Sequence, residues 1–159
     1  MQSPDGLAPY SEALDRVDTP VRRALDVGTG TGRGAAEIKR RHPNAEVVGL
    51  DVSAAMLDEA RRLLPNLEFV EGDASRLPFA DAEFDLVAHA NMIPFLDEVA
   101  RVLRPGGWTI FAFSGGNETP IYVAPERLWR ELERRGFSDF AEIAAGRGTA
   151  VLARRGNPH

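Results

Sequence analysis

The 159-residue chain contains no cysteine. A disulfide framework, a zinc–thiolate centre and thiol catalysis are therefore excluded, and no metal site is expected. No apolar run approaches the roughly 18 residues that a membrane span requires, so no membrane partner is expected. Lysine is nearly absent: of 19 basic residues only Lys39 is a lysine, which leaves 18 arginines. That bias fits a GC-rich genome and carries no functional reading. Net positive charge is lacking too. The 24 acidic residues outweigh the 19 basic ones to give −5, which argues against a general affinity for nucleic-acid phosphates or anionic lipid. Residues 1–18 have neither a basic n-region nor an apolar h-region, so a secretory signal is not expected and a cytoplasmic location is. Internal repeats and low-complexity tracts are missing as well.

What is present is ordinary for one globular domain, at 43% apolar and 27% charged residues. Short apolar runs alternate with amphipathic stretches, the pattern of an α/β fold. Residues 1–24 read as an N-terminal helical arm, with Thr19 as N-cap and Pro20 at a first helical position. Residues 25–155 form the core domain and 156–159 a tail. Strands are predicted over 24–27, 46–50, 67–70, 84–88 and 108–113. Helices are predicted through Ala35, Ala36 and Ile38, over 53–64, along the stripe Phe95, Leu96, Val99, Val102 and Leu103, and over 124–135. Pro105-Gly106-Gly107 stops the third of these. The Glu126/Arg130 and Glu131/Arg135 spacings mark a solvated face on the last. Two strands, 140–145 and 149–153, flank Gly146-Arg147-Gly148 as a hairpin. The first five strands are separated by connections long enough for crossovers, hence parallel.

The sharpest local feature is Leu25-Asp26-Val27-Gly28-Thr29-Gly30-Thr31-Gly32, between a strand and a helix. Glycines there let the chain turn sharply and let a ligand approach the backbone. The spacing is not the dinucleotide fingerprint G-x-G-x-x-G, because position 33 is arginine. An acid, Asp26, also precedes the glycines, and it would repel a pyrophosphate at the helix N-terminus. Asp26 suits a ligand bearing a cationic or hydrogen-bond-donating group; alternatively it braces the loop backbone. Arg33, the one nearby cation, is expected to point to solvent. Asp51 ends the second strand, where a carboxylate can accept both ribose hydroxyls or cap the helix near Ser53. Asp73 ends the third, where it can accept from an adenine amino group or form an Asx turn into Ala74-Ser75. Three acids at three successive strand ends fall on the carboxyl edge of the sheet, where ligands bind in this architecture.

These residues resemble the class I S-adenosylmethionine-dependent methyltransferases, in particular small core-only domains of the methyltransferase-11 kind. ALDVGTGTGRGA is similar to the family's first motif and GLDVSAAML to its ribose-binding second. FVEGDASRLPFADAEFDLV is similar to the adenine-binding region and fourth strand, and EVARVLRPGGW to the turn into the fifth. The resemblance implies a three-layer Rossmann-like sandwich, with a seven-stranded, mostly parallel sheet whose last strand is antiparallel. It implies S-adenosylmethionine as cofactor and S-adenosylhomocysteine as product. Gly28 and Gly30 would line the methionine part and Asp26 would reach its amino end. Asp51 would hold the ribose, Asp73 and Ala74 would frame the adenine, and Val52 and Met56 would pack on the base. A nicotinamide dehydrogenase is disfavoured by Arg33 and Asp26.

The acceptor side departs from the family pattern. Asn91-Met92-Ile93-Pro94 keeps the Asn of the N-P-P-Y tetrapeptide of nucleic-acid amino methyltransferases but lacks its aromatic, so base methylation is disfavoured. His89 is a general-base candidate or a strand-end residue contacting cofactor or backbone. His42 and His159 are expected to be exposed. The stretch 114–125 is the longest candidate for acceptor contact; Tyr122 within it either meets the acceptor or anchors the loop. A small-molecule acceptor is the leading expectation, with protein or RNA methylation and a non-catalytic cofactor-binding module as alternatives. The open site fits a large acceptor, a lid from the second subunit of a homodimer, or closure by the N-terminal arm.

Overall fold

The short apolar run at the start of the glycine motif is β1 (Arg23–Val27), buried on both faces from its second residue on. Burial on both faces is what a central parallel strand requires. In the computed structural model, which describes residues 7–118 and 121–156, β1 pairs in parallel with β2 (Glu46–Asp51) and β4 (Phe84–Ala90). The sheet continues outward through β3 (Glu68–Glu71) on one side and β5 (Leu103–Phe113) on the other. A hairpin of β6 (Phe137–Ala145) and β7 (Gly148–Arg155) completes it. The order is β3-β2-β1-β4-β5-β7-β6, with β7 antiparallel to β5. The expected seven strands and their directions are all present.

Helices cover both faces. On one face lie α1 (Ala8–Asp15), α2 (Arg33–Arg41) and α3 (Ala54–Leu63); on the other lie α4 (Leu96–Val102) and α5 (Pro125–Arg134). Alternation along β1 feeds two cores. Ala24 joins Tyr10, Leu14, Ile38 and Leu57, while Leu25 and Val27 join Val99, Leu103, Phe111 and Leu128. The chain reverses its winding between β1 and β4, so a crevice opens at their carboxyl ends.

Two local expectations are corrected. No helix starts at Thr19-Pro20; the N-terminal helix is α1, with Pro9 in its first turn. Only two residues separate Pro20 from β1, too few for a helical turn, and the Thr19 hydroxyl accepts a hydrogen bond from the Trp108 indole at 3.0 Å. Pro105-Gly106-Gly107 does not separate helix from strand. Leu103 already pairs with Phe84, and the proline and glycines sit inside β5, where the register shifts between Phe84 and Leu86. β5 is an internal strand, and it tolerates them because they fall at such an irregularity. The Glu131–Arg135 pair forms at 3.2 Å, and Arg135 also reaches Asp97 of α4 at 2.7 Å. His159, the tail from 157 and the first six residues lie outside the described residues.

Candidate active site

At the crevice lies a cleft of about 710 Å³, lined among others by Asp26, Gly28, Gly30, Arg33, Met56 and Asn91. Four of the nine expected site residues, Asp26, Gly28, Gly30 and Met56, thus share one surface. The glycine loop leaves β1 with the Gly28 and Thr29 N–H groups both donating to the Leu50 carbonyl at 2.9 Å. Gly28 and Gly30 have φ of +73° and +56°, a region open to glycine at little steric cost. A Cβ on Gly28 would lie 2.2 Å from the Met92 sulfur, whereas one on Gly30 would meet nothing within 4 Å. Gly28 therefore accommodates a side chain of the loop after β4, and Gly30 faces open space.

Asp26 is 2% exposed. It accepts from the Tyr10 hydroxyl at 2.7 Å, the Thr29 hydroxyl at 2.8 Å and the Ala35 N–H. Burial pushes its pKa from 3.8 up to about 6; the three donors oppose that rise and the Asp51 charge adds to it. Asp26 both braces the loop and lines the cleft. Asp51, at the end of β2, ties the two motifs together. One carboxylate oxygen accepts from the Gly30 N–H at 2.8 Å and the other from the Ser53 N–H at 2.9 Å. Ser53 itself caps α3 through the Met56 N–H. Beside Asp51, Val52 is 69% and Met56 47% exposed, an apolar shelf next to a carboxylate. Asp73 is exposed and forms the Asx turn, accepting from the Ser75 N–H at 2.8 Å and its hydroxyl at 2.7 Å. Those bonds hold its carboxyl below the usual range. Ala74 beside it is buried.

His89 lies elsewhere. Strand alternation turns it to the face covered by α4 and α5, where Nδ1 donates to the Ile110 carbonyl at 3.0 Å and the ring stacks on Phe111 at 4.1 Å. Burial lowers its pKa to about 4, so it is neutral and contacts backbone. Arg33 is half-buried along the cleft rather than pointing to solvent. His42 is half-buried, not exposed, and burial lowers its pKa. Tyr122 anchors its loop edge-to-face on Phe113 at 5.4 Å. Asn91 adopts φ +56°, and its side-chain oxygen accepts from the Ser114 N–H at 2.9 Å, which joins the ends of β4 and β5.

Leu7 and Tyr10, both from the N-terminal segment, were not singled out by sequence. Eight residues of α1 are too few for periodicity to register, and only the fold brings them over β1.

Residues 24–107, more than half of the chain, match the family described as a methyltransferase domain, and the chain belongs to that family. A fatty-acid O-methyltransferase of Mycolicibacterium smegmatis is 38% identical over 126 residues, covering 74% of this chain and 44% of that protein. A phthiotriol/phenolphthiotriol dimycocerosates methyltransferase of Mycobacterium tuberculosis is 39% identical over 151 residues, covering 87% of this chain and 55% of that protein. The chain thus spans about half the length of the curated relatives it matches. A SAM-dependent methyltransferase from Aquifex aeolicus superposes with a TM-score of 0.78 at 20% identity, over 96% of this chain and 93% of that one. That likeness is one of fold.

Proposed function

We propose that this domain binds S-adenosylmethionine in the cleft and transfers its methyl group to an apolar small molecule. When bound, the cofactor supplies a methyl group already activated by a sulfonium leaving group. The residues present fit it. Gly30 offers open space at the loop, and Asp51 holds that loop while keeping lone pairs for a ribose diol. Val52 and Met56 offer an exposed apolar shelf for a flat base, and Asp73 and Ala74, which follow the neighbouring strand β3, would frame it. Asp26 provides a carboxylate for an ammonium group. His89 supports the site only through the sheet. With the leaving group built into the cofactor, this chain's share of the catalysis is alignment, which can contribute roughly 7–11 kcal/mol.

The acceptor class rests on one observation. The segment after β4 follows the cleft-lining Ala90 and Asn91, lays Met92 against Gly28 and exposes Ile93 to 54%, so apolar side chains stand next to the cleft. The names of the two mycobacterial-type relatives, a fatty-acid and a phthiotriol-lipid methyltransferase, support the same class. Among the described residues no helix is long and apolar enough to cross a membrane. The test is turnover against a panel of fatty acids, quinones and phenols, following S-adenosylhomocysteine release. Turnover with an apolar acceptor is expected. Labelling of macromolecules in a cell extract instead would point to protein or RNA, and tight cofactor binding without turnover anywhere to a binding module.

A further inference from the structure

Tyr10 is 0% exposed, and a buried hydroxyl is costly unless it is hydrogen-bonded. Its partner is a carboxylate that lines the cleft, 16 residues away and on a different element. The helix that carries it does not need this bond in order to dock. Ala13 and Leu14 of α1 are themselves in the core, as is Val17 just beyond it, and Asp15 pairs with Arg41 of α2. Leu7, at the start of the same helix, lines the cleft. A phenylalanine would fill the same core volume, so the hydroxyl serves Asp26 rather than packing.

We propose that α1 is part of the cofactor site and that Tyr10 is a positioning residue, whose hydroxyl aims the Asp26 carboxylate at the ammonium group of an amino-acid-bearing ligand. This rests on the cofactor reading above. The bond fixes the rotation of the carboxylate, because Tyr10 takes one oxygen and Thr29 the other. It also keeps Asp26 charged. Burial favours the neutral acid, and the Tyr10 hydrogen bond is the largest influence opposing it. The other groups facing the pair are Asp51 from β2, which raises Asp26 further, Glu37 from α2, which acts on Tyr10, and Arg33 on the cleft wall. Only the charged carboxylate attracts a cation, so ligand affinity in the unaltered protein falls as pH drops through about 6. Removing the hydroxyl raises that midpoint.

The test is calorimetric titration of the Tyr10→Phe protein with S-adenosylhomocysteine, which carries the ammonium, and with 5′-methylthioadenosine, which lacks it. S-adenosylhomocysteine should bind roughly fivefold or more weakly at about pH 7, the scale of a lost hydrogen bond to a charged group. The loss should shrink by about pH 8, and methylthioadenosine affinity should not change. In an Asp26→Asn background, Tyr10→Phe should add nothing further. Equal weakening of both ligands, or additivity with Asp26→Asn, would overturn the proposal. So would unchanged S-adenosylhomocysteine affinity in the variant. Failure of the unaltered protein to bind S-adenosylhomocysteine would instead remove the cofactor reading itself. If Tyr10→Phe does not fold, replacing the tyrosines with 3-fluorotyrosine strengthens the donor, and the pH midpoint should then move down; an unmoved midpoint overturns the proposal.

Discussion

The carboxyl edge of the sheet is built differently on its two sides. From β1 to β3, each acidic side chain bonds a group two or three residues away, Thr29 to Asp26, Asp51 to Ser53 and Asp73 to Ser75, and two of the three carry a longer tie as well, Asp51 to Gly30 and Asp26 to Tyr10. From β4 to β5, the corresponding bonds span more than twenty residues: His89 to Ile110 and Asn91 to Ser114. The first side is a set of local turns, joined by Asp51 and Tyr10, that present carboxylates and backbone N–H groups. The second is a seam between two strands, followed by a loop that exposes Ile93. Under the proposed function, the cofactor would be held largely by local geometry, whereas the acceptor would meet a surface that packing creates.

The largest expected effect tests the contrast between Asp26 and His89, which sit on opposite faces of the sheet. Asp26, raised to about 6, contributes stability that is full below 3.8 and is lost as pH rises through 6. His89, lowered to about 4, contributes stability that is full above 6.5 and is lost as pH falls through 4. Each amounts to roughly 3 kcal/mol, and in the unaltered protein the two nearly cancel. Asp26→Asn should therefore lose roughly 3 kcal/mol between about pH 6.5 and 4, and His89→Phe should gain a similar amount over the same window. Urea unfolding across that range reads both, and equal slopes in the two variants would break the contrast.

Gly32 and Gly136 sharpen the difference in packing. Both have positive φ, +93° and +86°. A Cβ on Gly32 would lie 2.7 Å from the Leu64 side chain and 3.2 Å from the Phe69 ring, while one on Gly136 would meet nothing within 4 Å. Gly32→Ala should cost about 2–3 kcal/mol and Gly136→Ala about 1 kcal/mol, measured by thermal unfolding. Equal losses would mean that backbone strain alone decides both.

Asp51→Ala should weaken S-adenosylhomocysteine binding about tenfold or more by calorimetry, while lowering ligand-free stability by only about 1 kcal/mol. The two N–H groups that Asp51 serves are only part-buried and water can replace it. A collapse of the ligand-free protein would make Asp51 a structural cap. Ile93→Asp should leave cofactor affinity within about twofold and reduce turnover of an apolar acceptor by about threefold or more, the scale of a partly desolvated apolar contact. Weaker cofactor binding in that variant would erase the division between the two sides.

The same difference explains what could be read before the fold was seen. Asp26, Gly28, Gly30 and Asp51 stand in spacings that turn chemistry demands, and the strand–helix alternation orders them along one edge. Sequence by itself therefore determined the α/β class, the seven strands and the acidic glycine loop between β1 and α2, because short-range turns and hydrophobic period depend on near neighbours. Tertiary structure alone decided that His89 faces the core, since one residue of strand register chooses the face. It alone turned Pro105-Gly106-Gly107 into part of a strand, through the pairing of Leu103 with Phe84. It also brought Tyr10 against Asp26, because a contact between a short helix and a buried strand exists only once both have packed on the same core.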